Sequence, residues 1–427
     1  MTSRDRPGPW RGRLVVLVGV VLVALNLRIA VAAVSPILDA VRQDVELSPA
    51  QVGLLGAVPV ASFAVFGSLA PLLARRFGLE PTLVAAMLLS ALGEVVRATA
   101  TAPAGFLAWS VIALAGMGMG NVLLPPLVKR YFADRVGAVT AAYSVAMAVS
   151  TATPPLLAVP LARELGWRVS LGAWAVIGVV AIVPWLVVVV RSALARDALR
   201  EVLRRAPTHT PVLASRHRAS GRVWRSPTAW GMALTFAMNT TNAYVLFAWL
   251  PVVLGDAGVS TGVAGRWLAL FAILGLPPAV VVPLLTVRLR NPWVMVVVFV
   301  GCFVVGYLGL LLSPTRPLGL WIVLLGLGPG TFPLLLTLIN LRTRTSAGAT
   351  SLSGFTQGVG YALAGAGPVL VGVLYEATGG WTAVYGFLLM TLAVLLASSY
   401  VACRPVMLED TWARPSSASI PLHRDPR

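Results

Sequence analysis

The sequence predicts an all-α integral membrane protein: twelve transmembrane helices in two pseudo-symmetric six-helix bundles. Three observations carry that expectation. Of 427 residues, 58% are hydrophobic and 11% charged, with a mean hydropathy of +0.85. A soluble domain carries about a quarter charged residues, so a soluble globule is excluded. The apolar residues collect into long runs, and backbone in lipid must pair its polar groups internally, which makes those runs helices. The 33 Lys and Arg residues fall mainly in alternate connections between the runs.

The spans are drawn at 14–38, 50–74, 81–100, 104–128, 137–161, 168–190, 228–253, 263–287, 292–312, 318–341, 349–374 and 381–402. Arg4, Arg6, Arg11 and Arg13 precede the first run in the manner of a signal peptide. That run, Leu14 to Leu38, is too long for a signal h-region and is followed by further spans, so it is read as a first membrane helix. With the N-terminus inside, 26 of the 33 basic residues lie in inner segments. Both termini are therefore expected on the cytoplasmic side of a bacterial inner membrane.

Several classes fall away on composition. The net charge of +18 is explained by topology, so no nucleic-acid partner is expected. Cys302 and Cys403 offer no disulfide framework. His209, His217 and His423 all lie in hydrophilic segments, so neither a metal nor a cofactor is expected. A membrane-embedded enzyme needs clustered His, Asp, Glu or Cys within helices, and the spans offer only Glu94 and Cys302.

The division expected is residues 1–190 for the first six helices, 191–227 for a cytoplasmic linker, 228–402 for the second six and 403–427 for a tail. The segment RSALARDALREVLRRA at the start of the linker has two readings. One is a basic amphipathic helix on the inner leaflet, the other a solvated linker. Proline pairs at 125–126, 154–155 and 277–278 are expected to bend their helices.

The two halves echo each other. Gly116, Gly118 and Gly120 precede Pro125 and the basic end Lys129–Arg130; Gly326, Gly328 and Gly330 precede Pro333 and Arg342–Arg344. Pro154 lies thirteen residues before Trp167 of a Gly-Trp pair, and Pro368 thirteen before Trp381 of another. Six-plus-six duplication of this kind points to a carrier whose halves rock about a midplane site.

Five stretches resemble the cyanate and nitroimidazole transporter family (CynX/NimT type) within the major facilitator superfamily. They are Ala24-Leu25-Asn26-Leu27-Arg28 with Ser35-Pro36, Ala74 to Glu80 (ARRFGLE), Gly120 to Pro125 (GNVLLP) with Lys129-Arg130, Tyr244 with Ala248-Trp249-Leu250-Pro251, and Ser353-Gly354 with Gln357 and Gly360-Tyr361. The resemblance is essentially full length. It implies a secondary transporter moving a small polar or anionic organic solute by alternating access, with multidrug or nitroimidazole-type efflux as the alternative. Partners are then the solute, the lipid bilayer and protons as candidate coupling ions, with the monomer as functional unit. Departures are Ile29 where the family often has proline, Asn239 where it has glutamine, and Arg75 where the superfamily places an acidic residue.

Arg28, about mid-span, is the first candidate for binding substrate. An arginine there costs about 2.5–3.5 kcal/mol on insertion scales, so it needs a wet cavity, a carboxylate partner or an anionic ligand. A guanidinium holds a planar anion through paired hydrogen bonds. The other reading is a buried arginine satisfied by backbone carbonyls or a carboxylate. Asn26, Asn121, Asn239, Asn242, Tyr244, Trp249, Gln357 and Tyr361 are the further substrate-binding candidates, with Phe332 secondary. The amides serve equally well as ties between helices. Arg75, Arg76 and Gly78 are candidates for an inner gate loop, or for topology alone. Glu94 is either a protonatable coupling group or the partner of Arg97 in an intrahelical pair snorkelling towards water.

Overall fold

The computed structural model describes residues 13–205 and 222–411. Among the described residues, twelve helical segments are long and apolar enough to cross a membrane. The first six are α1 (Leu14–Asp44), α2 (Leu54–Phe77), α3 (Leu79–Ala98), α4 (Pro103–Tyr131), α5 (Val136–Pro154) and α6 (Trp167–Ser192). The second six are α7 (Pro227–Asp256), α8 (Gly262–Thr286), α9 (Trp293–Leu312), α10 (Leu318–Leu341), α11 (Ser346–Thr378) and α12 (Trp381–Cys403). Leu72, Leu88, Val183, Val298 and Leu312 point outward, as lipid-facing side chains of a multi-pass membrane protein do. The helix of α6 runs on from Ala175 to Arg205. The start of the expected linker therefore continues a span instead of forming a separate surface helix. Residues 206–221 of the linker, with His209 and His217, and 412–427 of the tail, with His423, lie outside the described residues.

Five of the described spans are interrupted, among them α6, where helix Trp167–Gly172 gives way to Ala175–Arg205. In α1, helix Leu14–Asn26 ends before Arg28, and a short helix, Ile29–Ala32, follows. The Arg28 amide donates to the Ser150 hydroxyl of α5 at 3.1 Å, so a side chain from another helix has entered the ladder. In α8 the helix stops at Ile273, four residues before Pro277, and in α11 at Ala364, four before Pro368. Each proline lacks the N–H that its i−4 carbonyl requires. In α10 a 3-10 turn, Gly328–Gly330, separates two helices. The helices that hold the prolines at 125–126 and 154–155 continue without interruption, Pro103–Tyr131 and Val136–Leu165.

The echoed glycines serve close approach. A Cβ on Gly116 would meet Ala86 and Ser90 backbone, one on Gly118 would meet Phe63, and one on Gly120 would meet Leu27 and Met87. In the second half Gly326 abuts Leu274, Gly328 abuts Phe303 and Gly330 abuts Phe299. Small residues let helices pack where no hydrophobic force from water assists them.

Gly116→Val is expected to lower stability by about 1–3 kcal/mol through overpacking. Gly56→Ala, where nothing lies within 4 Å, should leave the thermal unfolding of detergent-purified protein unchanged. Equal melting of the two variants would contradict this packing.

Candidate functional site

Arg28 occupies the break in α1, and its side chain crosses to the second half. One terminal nitrogen, Nη2, donates to the Tyr361 hydroxyl of α11 at 3.2 Å, and the Tyr244 hydroxyl of α7 also lies against the guanidinium. Its carbon stands 5.5 Å from the Phe63 ring centre and 5.8 Å from that of Phe332. Tyr361 packs edge-on to Phe63 at 5.3 Å and to Phe236 at 5.0 Å. Aromatic faces attract a cation electrostatically without neutralising it. Among the described residues, no carboxylate forms an ion pair with Arg28. The side chain is partly accessible, so it keeps donors for something else.

Below Arg28 the halves are tied through a proline pair. Pro125 and Pro126 have no N–H for the carbonyls of Asn121 and Val122, which an unbroken helix would otherwise leave bare. The Ser353 hydroxyl of α11 donates to the Val122 carbonyl at 2.7 Å, and Gln357 Nε2 to the Asn121 carbonyl at 3.4 Å. The Asn121 amide in turn donates to Gln357 Oε1 at 2.8 Å and to the Tyr361 hydroxyl at 3.2 Å. Ser353, Gln357 and Tyr361 are spaced four apart and form one stripe along α11. The freed carbonyls explain why this proline pair leaves α4 intact.

The remaining candidates separate from this cluster. Asn26 is two positions from Arg28 and therefore on a different side of the helix; its amide donates to Ser90 of α3 at 2.8 Å, inside the first half. Asn242 is fully buried and binds the Thr391 hydroxyl at 2.9 Å and the Tyr307 hydroxyl at 2.8 Å, tying α7 to α12 and α9. Trp249 donates to the Pro368 carbonyl at 3.1 Å and packs with Tyr375 and Trp381. Asn239 is buried with its Oδ1 unpaired. The expected shared face of Asn239, Asn242 and Trp249 is thus divided among different neighbours, since α7 is surrounded on several sides. Glu94 and Arg97 are 0% and 1% exposed, so this pair does not snorkel to water.

Hydrogen bonds seal the basic ends of the two halves. Arg75 Nη2 reaches Ser351 of α11 at 2.7 Å, and Lys129 Nζ reaches the Asn340 carbonyl of α10 at 2.9 Å. Arg76 stays outside, over the Phe77 ring. Gly78 joins α2 to α3 with φ of +99°, a conformation that only glycine adopts readily. Glu80, passed over in the sequence, supplies the acid missing at position 75. Its carboxylate accepts from Tyr131 at 2.6 Å and pairs with Arg130 at 3.0 Å. Glu409 accepts from the amides of Arg344 and Thr345 at 3.0 and 3.1 Å, while Asp410 pairs with Arg344. The hydrogen bonds to Asp410 hold the Arg344 guanidinium above its ordinary range. Among the described residues, every hydrogen bond that crosses between the halves lies at Arg28 or on this basic side.

Ser150, Phe63 and Ser353 were not singled out as site residues. Ser353 had a signal in its spacing with Gln357 and Tyr361, whereas nothing local marks Ser150 or Phe63. Among the described residues no three His, Cys, Asp or Glu side chains gather as a metal site.

Two matched bundles, sealed together on one side of a central cation, define a secondary transporter of small solutes. The chain belongs to the Major Facilitator Superfamily, whose family model matches residues 16–365. It is 33% identical to the 2-nitroimidazole transporter of Escherichia coli (strain K12), over 87% of this chain and 91% of that protein. It is 26% identical to the cyanate transport protein CynX of the same organism, over 93% and 99%. Its fold matches the proton:xylose symporter XylE with a TM-score of 0.69 at 14% identity, covering 94% of this chain and 99% of that one.

Gln357→Leu should leave the Asn121 carbonyl without its donor and the Asn121 amide with Tyr361 alone, and cost about 1–3 kcal/mol. Ser353→Ala should cost less, since it removes the donor to the Val122 carbonyl and one acceptor of Gln357 Nε2 but leaves both Gln357–Asn121 bonds. Thermal unfolding in detergent measures both; no change for Gln357→Leu would remove the tie from the account.

Proposed function

We propose that this carrier moves a small polar or anionic organic solute, cyanate-like in charge, across the bacterial inner membrane by alternating access. The observation carrying the reading is the Arg28 guanidinium, partly accessible between the halves and, among the described residues, in no ion pair with a carboxylate. An anion supplies the missing counter-charge, and two parallel N–H donors suit a planar or linear one. Tyr244 and Tyr361 add hydroxyls at the same point, while Phe63 and Phe332 close it with apolar faces. Asn121 and Gln357 act through Tyr361, which they hold in place. The basic face is the cytoplasmic one by the distribution of Lys and Arg. The seal on that face, with Arg75 in the gate, then makes this the outward-facing state of a monomeric carrier.

Efflux of nitroimidazole-type compounds is the second reading. It is favoured by the aromatic faces about Arg28, which suit a flat neutral ring as well as an anion, and by the 33% identity to the 2-nitroimidazole transporter.

In proteoliposomes, Arg28→Gln should lower cyanate transport by about tenfold or more, the worth of a charge-assisted hydrogen bond, while 2-nitroimidazole transport persists. Arg28→Lys should recover only part of the loss, because a point charge lacks the fork. Equal loss for both solutes would defeat the anion reading. Arg75→Ala should speed thiol labelling of a cysteine placed at Ser353 from the basic side, and unchanged labelling would remove Arg75 from the gate.

A further inference from the structure

A second charged pair lies deep in the first half, one helix away from Arg28. Glu94 and Arg97 stand three apart on the buried face of α3. Neither carboxyl oxygen of Glu94 has a hydrogen-bond partner, and neither do Nε and Nη2 of Arg97. The single bond in the group runs from Arg97 Nη1 to the carbonyl of Ala30, at 3.3 Å. Ala30 belongs to the four-residue helix Ile29–Ala32 that follows the break at Arg28. On the same face of α3, one turn earlier, Ser90 holds Asn26 at the other end of that break.

We propose that Glu94 is a proton-binding site whose charge state is transmitted by Arg97 to the α1 hinge that carries Arg28. The proposal rests on the reading of Arg28 as the solute site. An ionised carboxylate without a donor is costly to keep in an apolar interior, and an ionised pair at this separation closes on itself. Here the guanidinium is turned to a backbone carbonyl and the carboxyl group is left alone, which is the arrangement of a neutral acid. Loss of the proton breaks one O–H bond and takes the pair from +1 to zero. Arg97 is then drawn to Glu94, the Ala30 carbonyl loses its donor, and the segment bearing Arg28 loosens. Proton binding reverses each step, so a proton and the solute site are linked through one guanidinium.

No other charge competes for this role. Arg97, three residues on and on the same buried face, is the charged neighbour of Glu94 along α3. Around α3, the described charged groups of the neighbouring helices are exposed or engaged elsewhere, with Asp39 and Arg42 of α1, Arg76 of α2 and Arg191 of α6 exposed. Arg13 of α1 pairs with Asp134, Arg28 meets Tyr361, Arg75 of α2 meets Ser351, and Arg130 and Tyr131 of α4 meet Glu80. On α6, Arg168 pairs with Asp44 of α1. The remaining neighbours, Asn26 and Ser90, do not titrate.

Two measurements on the detergent-purified full chain test this without any solute. In infrared titration, the wild type should show a carboxyl C=O band that disappears with rising pH, absent from Glu94→Gln. In hydrogen exchange read by mass spectrometry and corrected for intrinsic rates, protection of residues 29–34 should fall by about tenfold or more over the same pH range, the worth of one charge-assisted bond. Glu94→Gln should hold that protection at its low-pH level throughout. Arg97→Lys should keep the titrating band but lose the pH dependence of protection, a split that a purely structural role does not produce. A band unaltered in Glu94→Gln, or the same pH-dependent protection in wild type and Glu94→Gln, overturns the proposal. If Glu94→Gln does not melt cooperatively, the Arg97→Lys split decides alone. Arg28→Gln should retain the Glu94 band, so failure of the solute reading and failure of this one are told apart.

Discussion

Inside an apolar slab a backbone N–H or C=O has no water to turn to, and around Arg28 side chains from other segments take up the backbone groups that the helices leave loose. The amide freed at Arg28 goes to Ser150. The carbonyls freed by Pro125 and Pro126 go to Gln357 and Ser353 on the opposite half. The carbonyl of Ala30 goes to Arg97. Each repair joins helices that are distant in sequence, and together they surround one arginine. The requirement that every polar backbone group be paired thus shapes the centre of the molecule more than any hydrophobic preference does.

That arginine is held without being neutralised. Aromatic faces and phenolic hydroxyls offer it partial negative charge while leaving its net charge intact. A carboxylate in the same place would form a closed pair and occupy the fork. The guanidinium is partly accessible between the halves, which lowers the cost of holding it at this depth. The two functions of Tyr361 follow from this position. It receives a bond from Arg28 on one side and from Asn121 on the other, so the group that touches the cation also reports whether the halves are tied.

The seal on the basic side is built from many short-range contacts instead of one strong pair. Gly354 and Gly358 of α11 lie against Pro71 and Ser68 of α2, where a larger side chain has no room. Hydrogen bonds from Arg75 and Lys129 are added at the rim. Separating such a surface would expose small residues and a few polar groups. Glu80 anchors Arg130 and Tyr131 within the first half, so that half can move as a unit.

Composition and run length alone determined the class of the protein, the number of spans and most of their positions, because a helix in lipid is specified by local apolarity. The distribution of Lys and Arg set out the basic face, and the duplicated Gly and Pro pattern set out the two halves. Arg28 was legible as well, since a charge stranded in an apolar run needs no neighbour to be conspicuous. What surrounds it was not. Asn26, Asn242 and Trp249 looked equal to Asn121 and Gln357 as polar or aromatic side chains in a span. Only packing sent the first three to partners inside their own half and the last two across the divide. Ser150 and Phe63 carry no local mark, because their roles come from helices brought together over more than a hundred residues in one case and from a ring facing the other half in the second. The sequence states which groups are costly to bury; only the tertiary structure decides which partner meets each of them, because that choice is made by contacts between helices and not within one.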